Sequence, residues 1–147
     1  MVDILHRVGM KGASPAEVYA ALTTIEGLSR WWATDTKGQT EVGGILEFRF
    51  APGGFDMRVL ELKPAQSVLW EVTDGPAEWI GTTVRWTLKQ EGDYTIVLFA
   101  HEGWQEPVEF MYHCSTKWAT FLVSLKQLVE TGIGAPEPDD LTISDWH

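Results

Sequence analysis

Through its first hundred residues this chain alternates apolar and polar side chains with a period of two, and then the period changes. Asp3 to Met10 alternates well enough for a first strand, ended by Gly12. Ile45 to Phe50 sets Leu46, Phe48 and Phe50 on one face against Glu47 and Arg49. Pro52-Gly53-Gly54 then signals a turn. Phe55 to Leu62 puts Met57 and Val59 opposite Asp56 and Arg58. Ser67 to Thr73 gathers Val68, Trp70 and Val72, and Trp79 to Lys89 gathers Val84, Trp86 and Leu88. Tyr94 to Glu102 is apolar on both faces, with Val97 and Phe99 on one and Ile96 and Leu98 on the other. The turns between these runs are short, so neighbours are expected to pair antiparallel, with one wet face.

Two helical signals interrupt or end this pattern. Ser14-Pro15-Ala16-Glu17 reads as a helix start, with Ser14 as cap, Pro15 in the first turn and Glu17 closing a capping box. That helix runs to about Leu22, and Thr24 caps a second short turn ending near Trp31-Trp32. From about Pro107 to Glu130 the period becomes helical and Gly132 is a natural stop. Phe110, Met111, Cys114, Trp118, Phe121, Leu122, Leu125, Leu128 and Val129 form one apolar stripe. His113, Thr116, Lys117, Thr120, Ser124 and Gln127 fall on another, expected wet, side. Only this helix is long enough to cover the dry face of the sheet. A single helix facing a strongly curved sheet tends to enclose a cavity. The fold class is therefore α+β, a curved antiparallel sheet wrapped around a long C-terminal helix, with two short helices after the first strand.

Composition narrows the function. At 147 residues the expectation is one domain over 1–132 and a Pro-rich acidic tail over 133–147. The tail has three open outcomes: packed on the body, packed on a second subunit to give a homodimer, or disordered. The net charge of -10, with 11 scattered Lys and Arg, argues against nucleic acid and against an anionic membrane surface. Cys114 is alone, so no internal disulfide forms. The N-terminus has no signal-peptide pattern and no segment approaches a membrane span, so a bacterial-type cytoplasmic protein is expected. The 8 Trp are the unusual feature, a large apolar area in which each indole N–H wants a partner.

The element order resembles the helix-grip fold of the START-like, or SRPBCC, superfamily. Within it the chain resembles the Aha-type branch, named for the activator of the heat-shock-chaperone ATPase. Ser14 to Thr23 is similar to the family's first helix, and Trp31-Trp32 to its aromatic pair. Gly43-Gly44-Ile45-Leu46-Glu47-Phe48 is similar to its glycine-led strand, and Trp118 through Gly132 to its closing helix. The resemblance implies a fold and a cavity ahead of an activity, because the superfamily includes lipid carriers, hormone-binding proteins, polyketide cyclases and chaperone co-factors. No stretch of the chain matches the separate N-terminal domain of the eukaryotic chaperone activators.

By alternation, Phe48, Met57, Trp70, Trp86, Phe99, Phe110, Met111 and Trp118 point inward as a candidate wall, and Cys114 lies on the same helical stripe. Trp32 and Trp104 mark the expected way in, past the short helices and the loop around Trp104. His101 shares the inward face of Val97 and Phe99 and is a candidate to orient a ligand's carbonyl or hydroxyl, or to act as acid or base. Arg85, Glu71 and Tyr112 are expected to face outward. A dry void costs about 24 cal/mol per Å³, so a ~300 Å³ pocket would cost about 7 kcal/mol. Such a pocket is therefore filled by ligand, water or collapsed side chains.

No metal or cofactor is expected. Glu109 and His113 form an ordinary i,i+4 pair, and no Cys-x-x-Cys, His-x-x-x-His or phosphate-cradling loop is present. The expected function is non-catalytic binding of a small hydrophobic or aromatic molecule, lipids included. A cyclase or hydrolase using His101 and bound water, and a chaperone-ATPase co-factor-like module, are the alternatives.

Overall fold

Capping and alternation set the elements where the sequence places most of them. The computed structural model describes residues 1–51 and 53–147, so Pro52 of the expected turn lies outside the described residues. The chain runs β1 (Val2–Lys11), α1 (Pro15–Thr23), α2 (Ile25–Trp31), β2 (Asp35–Gly38), β3 (Ile45–Phe50), β4 (Gly53–Lys63), β5 (Ser67–Asp74), β6 (Thr83–Glu91), β7 (Tyr94–Trp104) and α3 (Glu109–Thr131). The Ser14 hydroxyl accepts from Glu17 N, Glu17 answers with its side chain on the Ser14 backbone, and Thr24 accepts from Gly27 N. Gly132 ends α3 in the left-handed region at φ 89°, where a Cβ would be strained.

The seven strands form one antiparallel sheet in the order β1-β7-β6-β5-β4-β3-β2. Together with the long α3 and the two short helices this is the α+β helix-grip fold. The inner face carries the predicted residues: Leu46, Phe48, Met57, Val59, Val68, Trp70, Val84, Trp86, Val97 and Phe99 are all buried. Seven of the eight Trp are buried, and only Trp146 is exposed. On β7 the outer face is uneven, because Ile96 is buried across from Gly9 while Leu98 is half exposed. No helix among the described residues is long and apolar enough to cross a membrane.

α3 also closes one edge of the sheet. Lys126 Nζ donates to the Gly9 carbonyl at 2.7 Å, Lys11 N donates to Glu130 Oε2 at 2.7 Å, and the His6 ring meets the Ser115 carbonyl at 3.0 Å. The Lys126 and Glu130 side chains occupy ladder positions that an unpaired strand would offer to another chain.

The structure adds one strand and corrects two expectations. β2 lacks an apolar alternation and was not legible as a strand. Its four residues pair with β3 at the sheet edge and bury only Thr36. Trp79 to Gly81 form a turn, so β6 begins at Thr83 and the Trp79 ring folds inward. Lys117 and Ser124, expected on the wet side of α3, are buried because residues 133–147 fold back over them. Ser124 Oγ donates to the Trp31 carbonyl at 2.7 Å and accepts from Ala135 N at 2.8 Å, tying α3, α2 and the tail at one atom.

Ser124→Ala removes both bonds and leaves a buried carbonyl and amide short of a partner. It should lower stability by about 2 kcal/mol, a fall in Tm of about 4–8 °C, in urea and thermal denaturation. A loss under about 0.5 kcal/mol would show that the clasp is not structural.

Candidate functional site

The inward rings do not leave a hollow between the middle of the sheet and α3. They fill it. Trp32 stacks on Trp31 with ring centroids 5.4 Å apart and on Trp70 at 5.9 Å, and touches Phe48 at 4.3 Å and Trp118 at 5.2 Å. Trp86 meets Phe99 edge-on at 4.9 Å, and Phe99 meets Trp118 at 4.5 Å. Of the twelve expected wall residues, Trp32, Phe48, Met57, Trp70, Trp86, Phe99, His101 and Trp104 are therefore packed core and do not line a cavity. Met111 is partly buried against that core and also lies off the lining. Phe110, Cys114 and Trp118 do line one.

That cavity, about 470 Å³, lies at one end of the sheet. Phe50, Phe55, Trp79, Trp118, Phe121 and Phe110 make its aromatic walls. They come from the β3–β4 turn, the β5–β6 loop and the first four turns of α3. Glu137, Pro138, Trp146 and His147 close it from the tail. Ala51, Gly53, Pro138 and His147 on its rim are exposed, so it opens to solvent there. The way in is thus not past Trp31, Trp32 and Trp104, which are sealed in the core. A cavity open at the rim takes in water, which relieves the penalty of an empty void.

The polar groups around the cavity come from α3 and the tail. Lys117 Nζ pairs with Asp140 Oδ2 at 2.7 Å, and His147 Nε2 reaches the same oxygen at 3.2 Å. His113 is not paired with Glu109. Its Nδ1 meets Ser144 Oγ at 2.8 Å, and its ring stacks on Phe110 at 6.1 Å and contacts Trp146 at 5.6 Å. Partial burial, with Lys117 nearby, lowers the His113 pKa. Glu137 is held by its neighbours, with Oε2 accepting from Ala51 N at 3.0 Å and its backbone bonding Trp32 and Thr34. Burial pushes the Cys114 thiol up to about 12, so it sits in the wall as an apolar group rather than a nucleophile. Arg85 and Tyr112 face solvent as expected, and Glu71 is half-buried.

His101 is enclosed behind this wall with no exposed surface. Trp118 Nε1 donates to its Nδ1 at 3.1 Å, so the ring proton is on Nε2 and is given to Thr82 Oγ1 at 2.7 Å. The Thr82 hydroxyl in turn donates to the Trp79 carbonyl at 2.5 Å. Both nitrogens are thus engaged and neither is left for a substrate. Burial lowers the His101 pKa to about 3. Among the described residues no group of three or more His, Cys, Asp or Glu is gathered to hold a metal.

The sequence model of the family described as "Activator of Hsp90 ATPase homolog 1-like protein" matches residues 12–130. The fold is similar to the solution structure of the Aha1 dimer from Colwellia psychrerythraea, at 45% identity and a TM-score of 0.85 over 91% of this chain and 100% of that one. It is also similar to CalU16 from Micromonospora echinospora, at 21% identity and a TM-score of 0.73 over 88% of this chain and 77% of that one. Protein SSP2350 from Staphylococcus saprophyticus matches at 15% identity and a TM-score of 0.74, over 90% of this chain and 95% of that one. At those lower identities the likeness concerns the fold alone. No curated protein matches the chain.

The enclosed imidazole has a consequence for pH. Its folded-state pKa lies below its unfolded value near 6.5, so its contribution to stability is complete above pH 6.5 and is lost as pH falls toward 3. Between pH 7 and pH 5 that loss should be about 2 kcal/mol. His101→Gln should be less stable at pH 7 in urea denaturation and should lose about 2 kcal/mol less than the wild type on going to pH 5. Equal losses in both proteins would contradict a buried neutral histidine.

Proposed function

The chain belongs to the Activator of Hsp90 ATPase homolog 1-like family, and from that premise we propose that it binds a small hydrophobic or aromatic molecule without transforming it. The observation that carries this reading is the aromatic-walled cavity of about 470 Å³ between the β3–β4 turn, α3 and the tail. Its size lies within the usual range for ligand sites, and its lining is mostly apolar with a few polar groups, as such sites have. The reactive residues nearby argue for binding over catalysis. His101 is sealed off, and Cys114 is held as the thiol.

Native mass spectrometry and tryptophan fluorescence across lipids and aromatic compounds test the proposal, because Trp79 and Trp118 form part of the wall. At least one class should add mass and quench emission. Cys114→Phe, whose ring fills the space beyond the thiol, should weaken that binding at least tenfold with the thermal melt little changed. Silence from every class would sink the reading.

The second part of this reading is a homodimer, supported by the likeness to a protein described as a dimer. Sedimentation velocity at micromolar concentration should give a species of twice the chain mass, and a monomer at all accessible concentrations would remove this part alone.

A further inference from the structure

Lys117 is the one Lys or Arg among the described residues that line the cavity. Its side chain is 11% exposed, and an ammonium so buried needs an anion or several acceptors. Each acceptor found comes from the tail. They are Asp140 Oδ2, the Leu141 carbonyl, and the His147 carbonyl at 3.2 Å. The body of the fold thus carries a buried cation whose countercharge arrives on a separate segment.

Asp140 is an incomplete partner for it. Its side chain is 3% exposed, Oδ2 takes both Lys117 and His147, and Oδ1 is buried without any hydrogen bond. An unsatisfied carboxylate oxygen works against docking and is relieved in water. On its other side the Lys117 ammonium lies 5.5 Å from the centroid of Phe121, a wall of the cavity. The cation therefore sits at the seam between the aromatic space and the tail. Glu137, the one acid on the lining, is already engaged with Ala51 N.

We propose that the cavity takes a flat aromatic carboxylate and that Asp140 stands in for its acid group. The ligand's carboxylate takes Lys117, its ring packs on Phe110, Trp118 and Phe121, and the segment carrying Asp140 is released. One carboxylate replaces another, so the buried site gains no net charge. Burial of the ring supplies the driving force, and the freed Asp140 regains water on both oxygens. A neutral ring of the same shape has no claim on Lys117 and leaves the pair in place. This inference rests on the cavity being a ligand site and assigns the ligand's chemistry and its coupling to the tail.

The test compares 2-naphthoate with 2-naphthamide by isothermal titration calorimetry on the full chain, with folding checked by circular dichroism. In Asp140→Asn, where Lys117 has lost its competitor, naphthoate should bind at least tenfold more tightly than the amide. It should also bind several-fold more tightly than it does to the wild type, with the amide unchanged within twofold. In the double variant Lys117→Met with Asp140→Asn, which leaves neither charge buried alone, the preference for the acid should vanish. In the wild type, naphthoate but not the amide should shift the Trp146 indole NMR signal toward its disordered position. Equal binding of acid and amide to Asp140→Asn, or a preference that survives in the double variant, overturns this inference and leaves the cavity reading standing. Failure of both compounds to bind any variant, together with silence across the wider panel, overturns both.

Discussion

One ring fixes where the long helix lies. Trp118 is 1% exposed and sits among Phe99, Trp32 and Trp79, with centroids 4.5, 5.2 and 5.9 Å away, so it meets β7, the end of α2 and the β5–β6 turn at once. Its indole N–H has one partner, His101 Nδ1, which fixes the tautomer of that ring and through it the bonds to Thr82 and Trp79. Burying a side chain of this size contributes about 4–6 kcal/mol from area alone. That is comparable with the whole stability of a domain of about 5–15 kcal/mol. Both the apolar and the polar contacts of Trp118 require the same position of α3, so the helix has little freedom to slide or roll on the sheet.

The cavity's position follows from this packing. Where Trp31, Trp32, Trp70, Trp86 and Trp118 overlap, the bent sheet is full. Beyond Phe121 and Phe55 the sheet and the start of α3 diverge, and Phe50 and Phe110 line the gap without filling it. The gap is closed instead by residues 133–147, held through Ser124, Glu137 and Lys117. One segment thus satisfies a buried cation on α3 and roofs an aromatic space, and the proposed coupling of occupancy to docking rests on that double role.

The fold was largely legible because its signals are local. Period-two patterns marked β3 to β7, the Ser14 capping box and the Thr24 cap marked the short helices, and Gly132 marked the end of α3. β2 was hidden because an edge strand that buries only Thr36 has no apolar period to read. The cavity was misread for a different reason. Alternation tells which face of a strand is dry, and it correctly turned Phe48, Trp70, Trp86 and Phe99 inward. It does not tell whether rings on that face meet each other or leave a space between them. Phe50, Phe55, Trp79 and Phe121 line the cavity because of where the strands end and how the β5–β6 turn folds. Lys117 read as a wet residue because its burial depends on a tail whose docking no local pattern announces. Trp146 in that tail, the only Trp after α3, was the available clue.

The polar groups of this site share a property that bears on what the site does. Proton transfer needs a group that changes charge near the working pH and reaches the ligand. His101 is held neutral and enclosed, Cys114 is pushed far from its thiolate, and Lys117 is fixed by an ion pair. His113 and His147 also line the cavity; burial and the Lys117 charge both favour the neutral form of His113, and His147 Nε2 is engaged with Asp140 Oδ2. The arrangement therefore holds charge and shape constant. The covering segment meets the body through hydrogen bonds of Ala135, Glu137, Leu141, Ser144 and His147, through the Trp146 ring against Phe110 and His113, and through one imperfect ion pair. On the proposed reading, steady chemistry under a cover that docks through separate contacts suits a site that responds to what occupies it rather than changing it.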